Sequence, residues 1–328
     1  MSKPTPEQKT RRELQVPKLD LRDARSPDPA VRTQFQRGLR DALTQFGFVR
    51  IGGHQIDKDL ILEVYREFEK FFSRDSPEKA LCASAAGGQR GFTAFGIEHA
   101  KQQREPDLKE FYHVGRELPP DHPLRAHYPD NIWPEDIPEL RAASLALYDA
   151  LDACAGTLLE SLALGFELPK ETFSGMLRDG NNILRALHYP PLAKAPSATG
   201  RAVRAAPHED INLITLLCEA TDAGLEILTR EGQWLAIPAH VGEIIVDAGD
   251  MLARVTNDVV PAATHRVITP DAVRDRHRYS LPYFAHPYPD CDLSVHEAFV
   301  EPETPAKYPP TTAAAFLEER LKEIGLIS

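Results

Sequence analysis

The sequence predicts an α+β protein in which a mainly helical N-terminal part supports an all-β C-terminal part. Up to Gly165 the long apolar stretches recur every three or four residues, the period of a helix with one buried face. From Asn182 onward they shorten to brief apolar or alternating runs separated by turn residues, the texture of a β-sandwich or barrel. The chain has 328 residues, 42% of them hydrophobic and 27% charged, enough apolar material for a large core and unlike the composition of a disordered chain.

Residues 1–16 read as a loose leader, followed by a short strand from Val16 to Leu21. After the Pro-containing turn Ser26–Pro29, the residues Val31, Phe35, Leu39, Ala42, Leu43 and Phe46 mark one face of a helix that Gly47 ends. A strand over Phe48–Ile51 closes at Gly52 and Gly53, and a second helix carries Leu60, Ile61, Val64, Phe68, Phe71 and Phe72. From Cys82 to Pro134 the chain is rich in Gly, Pro, His and charge, which predicts long loops with short elements and a place for function. A long apolar stripe from Leu140 to Leu162 predicts a helix packed on a sheet and terminated by Gly165. Strands are expected at Ile183–Tyr189, Ile211–Leu217, Leu225–Leu228, Ile244–Val246, Thr264–Ile268 and Tyr279–Phe284, and a closing amphipathic helix at Ala313–Ile324. The organisation expected is one elaborated domain over 1–328, with a helical part at 1–165, a β core carrying the functional residues at 166–300 and the C-terminal helix at 301–328.

The formal charge of −11 and the lack of any long Lys/Arg run speak against nucleic acid and anionic membranes as partners. The polar opening MSKPTPEQKTRREL has no apolar signal-like stretch, and no run of 18 consecutive apolar residues occurs, so a cytoplasmic location is expected. Cys82, Cys154, Cys218 and Cys291 show no metal-binding spacing and read as buried thiols. No internal repeat of solenoid or propeller length is present.

His208 and Asp210 open the strand-like run HEDINLITLL, where residues i and i+2 project to one face. His265, in THRVI, begins a later β run and supplies a third ligand. Two imidazoles and one carboxylate on one side of a metal leave positions open for oxygen and substrate, an arrangement suited to iron(II) oxygenases. Arg278 and Ser280, in RYSLPYF, share a face by the same alternation. A planar guanidinium grips a carboxylate through two parallel N–H bonds and the hydroxyl adds a third, a clamp for a dicarboxylate.

These segments, in this order, resemble the isopenicillin N synthase-like family of iron(II), mostly 2-oxoglutarate-dependent, oxygenases. The likeness extends over nearly the whole chain and includes GFVRIGGHQI, FEKFFSRDSPEK, GFTAFG, DLKEFYHVGRE and AGDMLARVTND. It implies a double-stranded β-helix, or jelly roll, with flanking helices. It also implies His208, Asp210 and His265 as iron ligands, Arg278 and Ser280 as anchors for the 2-oxoglutarate carboxylate, and Tyr189 as a further anchor. Leu187 stands where many plant members carry an Asn that touches the cosubstrate. The tail EERLKEIGLIS lacks the Gln that ligates iron in the namesake oxidase, which favours an enzyme that uses 2-oxoglutarate.

The reaction so implied is oxidation of a small metabolite or short peptide by oxygen with 2-oxoglutarate as cosubstrate, through hydroxylation, desaturation or ring closure. A cosubstrate-free or ascorbate-using oxidase would keep the three ligands, and a zinc hydrolase or a non-catalytic metal-binding protein would use the same ligand types. His54, His188, His277 and His286 read as packed or surface imidazoles, and Asp250 and Asn257 as hydrogen-bonding groups of turns or core. Arg185 shares a strand face with Tyr189 and so points toward the same pocket. Arg201 and Arg204 read as a solvated loop. The substrate entrance is expected within Gly87–Arg116. Neither the substrate nor the oligomeric state is encoded in a recognisable pattern.

Overall fold

The computed structural model describes residues 16–83, 89–97, 108–191, 204–238, 242–270 and 275–323. Strand β1 (Lys18–Asp20) lies parallel to β2 (Phe48–Gly52), and a 3₁₀ turn at Leu21–Arg25 leads from β1 to helix α1 (Pro29–Phe46). The Asp28 carboxylate accepts from Ala30 N–H at 2.8 Å and Pro29 occupies the first turn, where its missing N–H costs nothing. At the other end Gly47 takes φ = 67° and returns its N–H to Leu43 O, the left-handed cap that a side chain would strain. Phe35, Leu39, Ala42 and Leu43 form its buried stripe, as the periodicity predicts.

Helix α2 (Lys58–Phe72), capped by Asp57, buries Val64, Phe68, Phe71 and Phe72, and the short α3 (Ser76–Ala80) follows. The stretch read as loops contains two strands, β3 (Gly91–Thr93) and β4 (Glu110–Gly115), and a 3₁₀ turn at Pro123–Ala126. All six residues of β4 are buried, although Glu110 and His113 break the apolar pattern that would have marked a strand. Residues 87, 88 and 98–107 of the expected entrance loop lie outside the described residues.

Helix α4 (Pro138–Gly165) packs against α1, α2 and the short α5 (Glu171–Leu177). By length and composition α4 alone among the described helices would suffice to cross a membrane. It instead buries Leu140, Leu147, Leu151, Leu158 and Leu162 in the protein core. Asp152 of this helix accepts from Tyr283 O–H at 2.6 Å, Asn182 Nδ2 at 2.7 Å and Arg116 Nη2 at 3.2 Å, which fastens the helix layer to the sheet.

The remaining strands are β5 (Ile183–Tyr189), β6 (Ala205–His208), β7 (Ile214–Cys218), β8 (Leu225–Leu228), β9 (Trp234–Ala236), β10 (Ile244–Ala248), β11 (His265–Val267), β12 (Arg278–Ser280) and β13 (Pro282–Ala285). Helix α6 (Asp250–Val255) follows β10, a 3₁₀ turn at Glu297–Phe299 follows β13, and α7 (Ala313–Glu323) closes the described chain. The large sheet runs β1-β2-β10-β7-β13-β5-β4-β3, with β12 also on β5, and the small one runs β6-β11-β8-β9. This is the expected jelly-roll arrangement with helices outside. Strands β1 to β4 of the mainly helical N-terminal part extend the large sheet at both of its ends. Cys82, Cys154, Cys218 and Cys291 are buried free thiols.

Glu243 ties the β1–β2 edge to the approach of β10, accepting from Arg50 Nε at 2.8 Å and Lys18 Nζ at 2.9 Å. Burial pushes its pKa up, but the hydrogen bonds from Arg50 and Lys18 outweigh that and hold it below the ordinary value. A depressed carboxylate contributes stability that is present above its unfolded pKa and lost as pH falls through the folded one. Glu243→Gln is therefore expected to cost roughly 1 kcal/mol at pH 7 and progressively less toward pH 3. Denaturant titrations of both proteins across that range would show it, and a pH-independent difference would contradict the assignment.

Candidate active site

The two sheets enclose a cavity of about 410 Å³. Ile183, Arg185, Leu187 and Tyr189 all line it from alternate positions of β5, and Thr215, Asp247, Arg278, Ser280 and Phe284 add to the same wall. The small sheet contributes Ala205, His208, Leu225, His265 and Val267.

His208 ends β6, His265 begins β11, and the two are direct partners in the antiparallel ladder, with ring centroids 4.3 Å apart. Each ring is held by its own strand: His208 Nδ1 lies 2.7 Å from Ala206 O, and His265 Nδ1 lies 3.0 Å from Ala263 O. A carbonyl only accepts, so each Nδ1 carries a hydrogen and Nε2 is the ring atom available to a metal. Both Nε2 atoms face Asp210 Oδ1, at 3.9 and 4.0 Å.

Asp210 is aimed by its other oxygen, which accepts from the Thr215 hydroxyl, while Asn212 Nδ2 donates to that hydroxyl at 2.9 Å. Burial and the neighbouring His265 push His208 down to about 4, so its imidazole is neutral at physiological pH. Burial raises Asp210, but His265, His208 and the Thr215 hydroxyl hold it below its ordinary value as a carboxylate. The three ligand atoms lie within 4.8 Å of one another. They are three acceptors facing one another, an arrangement that a cation satisfies. Two bonds of about 2.1 Å span about 4.2 Å, so one ion reaches across each gap to Asp210. Two imidazoles and one carboxylate, open toward a cavity, fit iron(II).

The local chain path differs from the strand expected for HEDINLITLL. His208 finishes β6 of the small sheet, Asp210 sits in the bend, and β7 of the large sheet begins only at Ile214. The bend is fixed by Asp250 N–H donating to Asp210 O at 2.7 Å and Met251 N–H donating to Asn212 O at 3.1 Å. His208 and Asp210 therefore converge because the chain crosses between sheets, and strand alternation is not the cause.

Arg278 and Ser280 do share a strand face. Both are buried on β12, with Nη1 and Oγ 3.4 Å apart, and both line the cavity. Arg278 Nε donates to Asp222 O at 3.1 Å, and its guanidinium carbon lies 5.1 Å from the Tyr189 ring centroid. Tyr189 is the register partner of Arg278, and Leu187 that of Ser280. No carboxylate among the described residues forms an ion pair with Arg278. The buried clamp thus presents positive charge and a hydroxyl to the cavity, which fits a carboxylate ligand.

Several lining groups come from the stretch Gly87–Arg116 without having been singled out individually in the sequence. Lys109 and His113 come from β4 and the residue before it, and Gln89 precedes β3. Arg185 packs between the rings of Phe111 and Phe284, at 4.3 and 5.1 Å, and its Nε donates to His113 Nε2 at 2.6 Å. His286 is a packed imidazole, as expected, yet it too lines the cavity, and burial lowers its pKa to about 4. Alternation beyond Phe284 would have pointed to it. Helix α7 reaches the wall with Leu317, Arg320 and Leu321. Arg204 is wholly buried, which corrects its reading as solvated loop; Arg201 lies outside the described residues. His188 is buried against Glu110, with Nδ1 and Oε1 2.7 Å apart, and Asn257 Nδ2 donates to Phe299 O at 3.0 Å, both structural roles.

Asp247, cross-strand from Thr215, is a second buried carboxyl beside the triad. Burial and the charge of Asp210 raise its pKa well above the ordinary value, against the hydrogen bond of Thr215. A raised folded pKa gives stability that is complete below the unfolded value and is lost as pH climbs toward the folded one. In metal-free protein, Asp247→Asn is therefore expected to gain on the wild type by roughly 1 kcal/mol or more between pH 5 and pH 8. Denaturant unfolding at the two pH values measures the gain, and an equal difference at both would refute it.

Comparison with known proteins places this geometry. Residues 16–136 match the profile described as the non-haem dioxygenase in morphine synthesis N-terminal region, and residues 180–287 match the 2OG-Fe(II) oxygenase superfamily. The chain is 30% identical to the 2-oxoglutarate-dependent dioxygenase imqE of Aspergillus flavus over 93% of each chain. It superposes on a 2OG-Fe(II) oxygenase family protein from Caulobacter crescentus with a TM-score of 0.83 and 38% identity, over 94% of this chain and 98% of the other. It also superposes on a full-length Neurospora crassa protein in complex with alpha-KG, with a TM-score of 0.81 and 27% identity over 94% and 96%. The chain belongs to the isopenicillin N synthase-like branch of the 2OG-Fe(II) oxygenase superfamily and is a dioxygenase that uses iron(II), 2-oxoglutarate and molecular oxygen.

Proposed function

We propose that His208, Asp210 and His265 hold the iron(II), and that Arg278 and Ser280, with Tyr189 beside them, receive the distal carboxylate of 2-oxoglutarate. The reaction is oxidation of a C–H bond in a small metabolite or short peptide. The observation that supports this most is the convergence of two Nε2 atoms and Asp210 Oδ1 at one wall of a cavity that also contains the Arg278–Ser280 clamp.

Bound iron(II) supplies oxygen activation coupled to decarboxylation, so that a hydroxylation consumes substrate, oxygen and 2-oxoglutarate and yields alcohol, succinate and carbon dioxide. The protein's part is orientation. The Ala206 and Ala263 carbonyls set the two imidazoles, and Thr215 sets the carboxylate, before any ligand arrives. Along β5 the chain runs from Tyr189 at the clamp to Arg185 and Ile183 at the opposite end of the cavity. We assign the Arg185 end, with Lys109, His113 and His286, to the oxidised substrate. Its mixture of cationic, imidazole and aromatic side chains suits a small polar molecule. The net charge of −11 supports a partner list without nucleic acid or anionic membrane, in keeping with a cytoplasmic enzyme.

Replacing His208, Asp210 or His265 by Ala is expected to remove bound iron and turnover while the metal-free protein keeps its fold. Metal analysis beside circular dichroism decides this for each residue, and near wild-type iron content with turnover would take that residue out of the site.

Arg278→Gln is expected to weaken 2-oxoglutarate on the order of a hundredfold, the loss of a charge-assisted bidentate contact, with iron content nearly unchanged. Anaerobic titration of the iron(II) protein, followed by its visible charge-transfer band, gives the affinity. Equal oxygen consumption by wild type with and without 2-oxoglutarate would return the protein to the cosubstrate-free class.

A further inference from the structure

Arg204 is a buried charge that the proposed reaction leaves without a task. It immediately precedes β6 and is 0% exposed, yet its Nε and Nη1 have no hydrogen-bond partner among the described residues. Its Nη2 is engaged, donating to Arg276 O at 3.0 Å. Its guanidinium carbon lies 5.9 Å from the Tyr189 ring centroid, and that ring also has the Arg278 guanidinium carbon at 5.1 Å. Two guanidiniums, each at most 2% exposed, thus share one aromatic ring at the clamp end of the cavity.

Neither is ion-paired among the described residues. Asp222 is the acid of this neighbourhood, but its backbone carbonyl takes Arg278 Nε, and its carboxylate lies 3.9 Å from the exposed Arg276. Taking two like charges out of water without a counter-charge is unfavourable, and a guanidinium does not escape by losing its proton. Burial and the nearby Arg278 lower the pKa of Arg204, and the opposing influence of Tyr189 and Asp222 does not offset them. No acid among the described residues pairs with either guanidinium, and a ligand carboxylate held by Arg278 would add negative charge near both.

We infer that Arg204 is a second cationic positioning residue at the cosubstrate end, one that makes the enzyme select a 2-oxo dicarboxylate over a 2-oxo monocarboxylate. This rests on the reading that Arg278 and Ser280 receive the distal carboxylate of 2-oxoglutarate. Arg204 acts from behind Tyr189: it adds positive potential at the clamp and holds the ring against which Arg278 packs. The proximal keto acid end, which belongs to the metal, lies outside its task.

The test compares wild type with Arg204→Met, Arg204→Lys and Arg278→Gln, each as the iron(II) protein without oxygen. Each is titrated calorimetrically with 2-oxoglutarate and with 2-oxopentanoate, which has the same chain length and no distal carboxylate. Arg204→Met is expected to lose about tenfold in affinity for 2-oxoglutarate and to stay within about twofold for 2-oxopentanoate. Arg204→Lys should recover most of the loss. A purely structural role would weaken both acids alike, and that result, or an unchanged preference in Arg204→Met, would overturn the inference. If Arg204→Met does not fold, the preference ratio of Arg204→Gln decides in its place. Failure of the underlying reading looks different: wild type would not prefer the dicarboxylate, or Arg278→Gln would bind it as well as wild type does. A further readout needs no ligand. Thermal unfolding of ligand-free Arg204→Met should occur at or above the wild-type temperature, because an uncompensated charge has been removed, while the shift produced by 2-oxoglutarate should shrink.

Discussion

The cross-strand pairing of His208 with His265 is the constraint on which the site depends. Antiparallel register brings the two imidazoles from distant parts of the chain to adjacent positions, and the carbonyl two residues before each ring fixes its tautomer. A one-residue slip of β11 against β6 would turn one ring to the other face of the small sheet and dissolve the site. The geometry proposed to hold the metal is therefore a property of sheet register, and everything that holds the register also holds that geometry.

The carboxylate arrives by a different route. Asp210 sits where the chain leaves the small sheet for the large one, and the backbone donors of Asp250 and Met251 hold that crossing in place. Thr215, already on the large sheet, takes one oxygen of Asp210 and leaves the other for the histidines. The ligand set thus joins the two sheets, so their separation must be kept. The large sheet is backed for this purpose by α4, whose Asp152 gathers donors from Tyr283, Asn182 and Arg116.

Around this centre the protein buries polar groups that add nothing to its stability unless ligands are present. Asp247 is a carboxyl beside another carboxylate, and Arg278 and Arg204 are neighbouring guanidiniums with no ion-paired acid among the described residues. Groups of this kind are destabilising in an empty pocket and favourable once an ion of opposite sign enters, the usual tension between stability and activity at preorganised sites. They divide the cavity into regions of distinct chemistry: acceptors at the metal, cations at the clamp, and a mixed wall of Arg185, Lys109, His113 and His286 at the other end.

The sequence by itself was sufficient for the elements with strong periodicity. Helices α1, α2 and α4 and strands β5, β8 and β10 fall where the apolar spacing puts them, because burial of one face leaves a repeat that needs no tertiary context. His208, Asp210, His265, Arg278 and Ser280 were legible as residue types in an order that suits one chemistry, and their family likeness supplied the roles. Tertiary structure alone decided what depends on two distant segments meeting. Strand β4 is buried on both faces yet carries Glu110 and His113, whose partners lie on other elements, so no local pattern announces it. The convergence of His208 with Asp210 comes from a crossing between sheets, which looks in sequence like one continuous strand. Arg204 reads as loop by its neighbours and is buried beside the Tyr189 ring and the Arg276 carbonyl. Charge and polarity of a residue are written locally, but burial is set by what the rest of the chain brings against it.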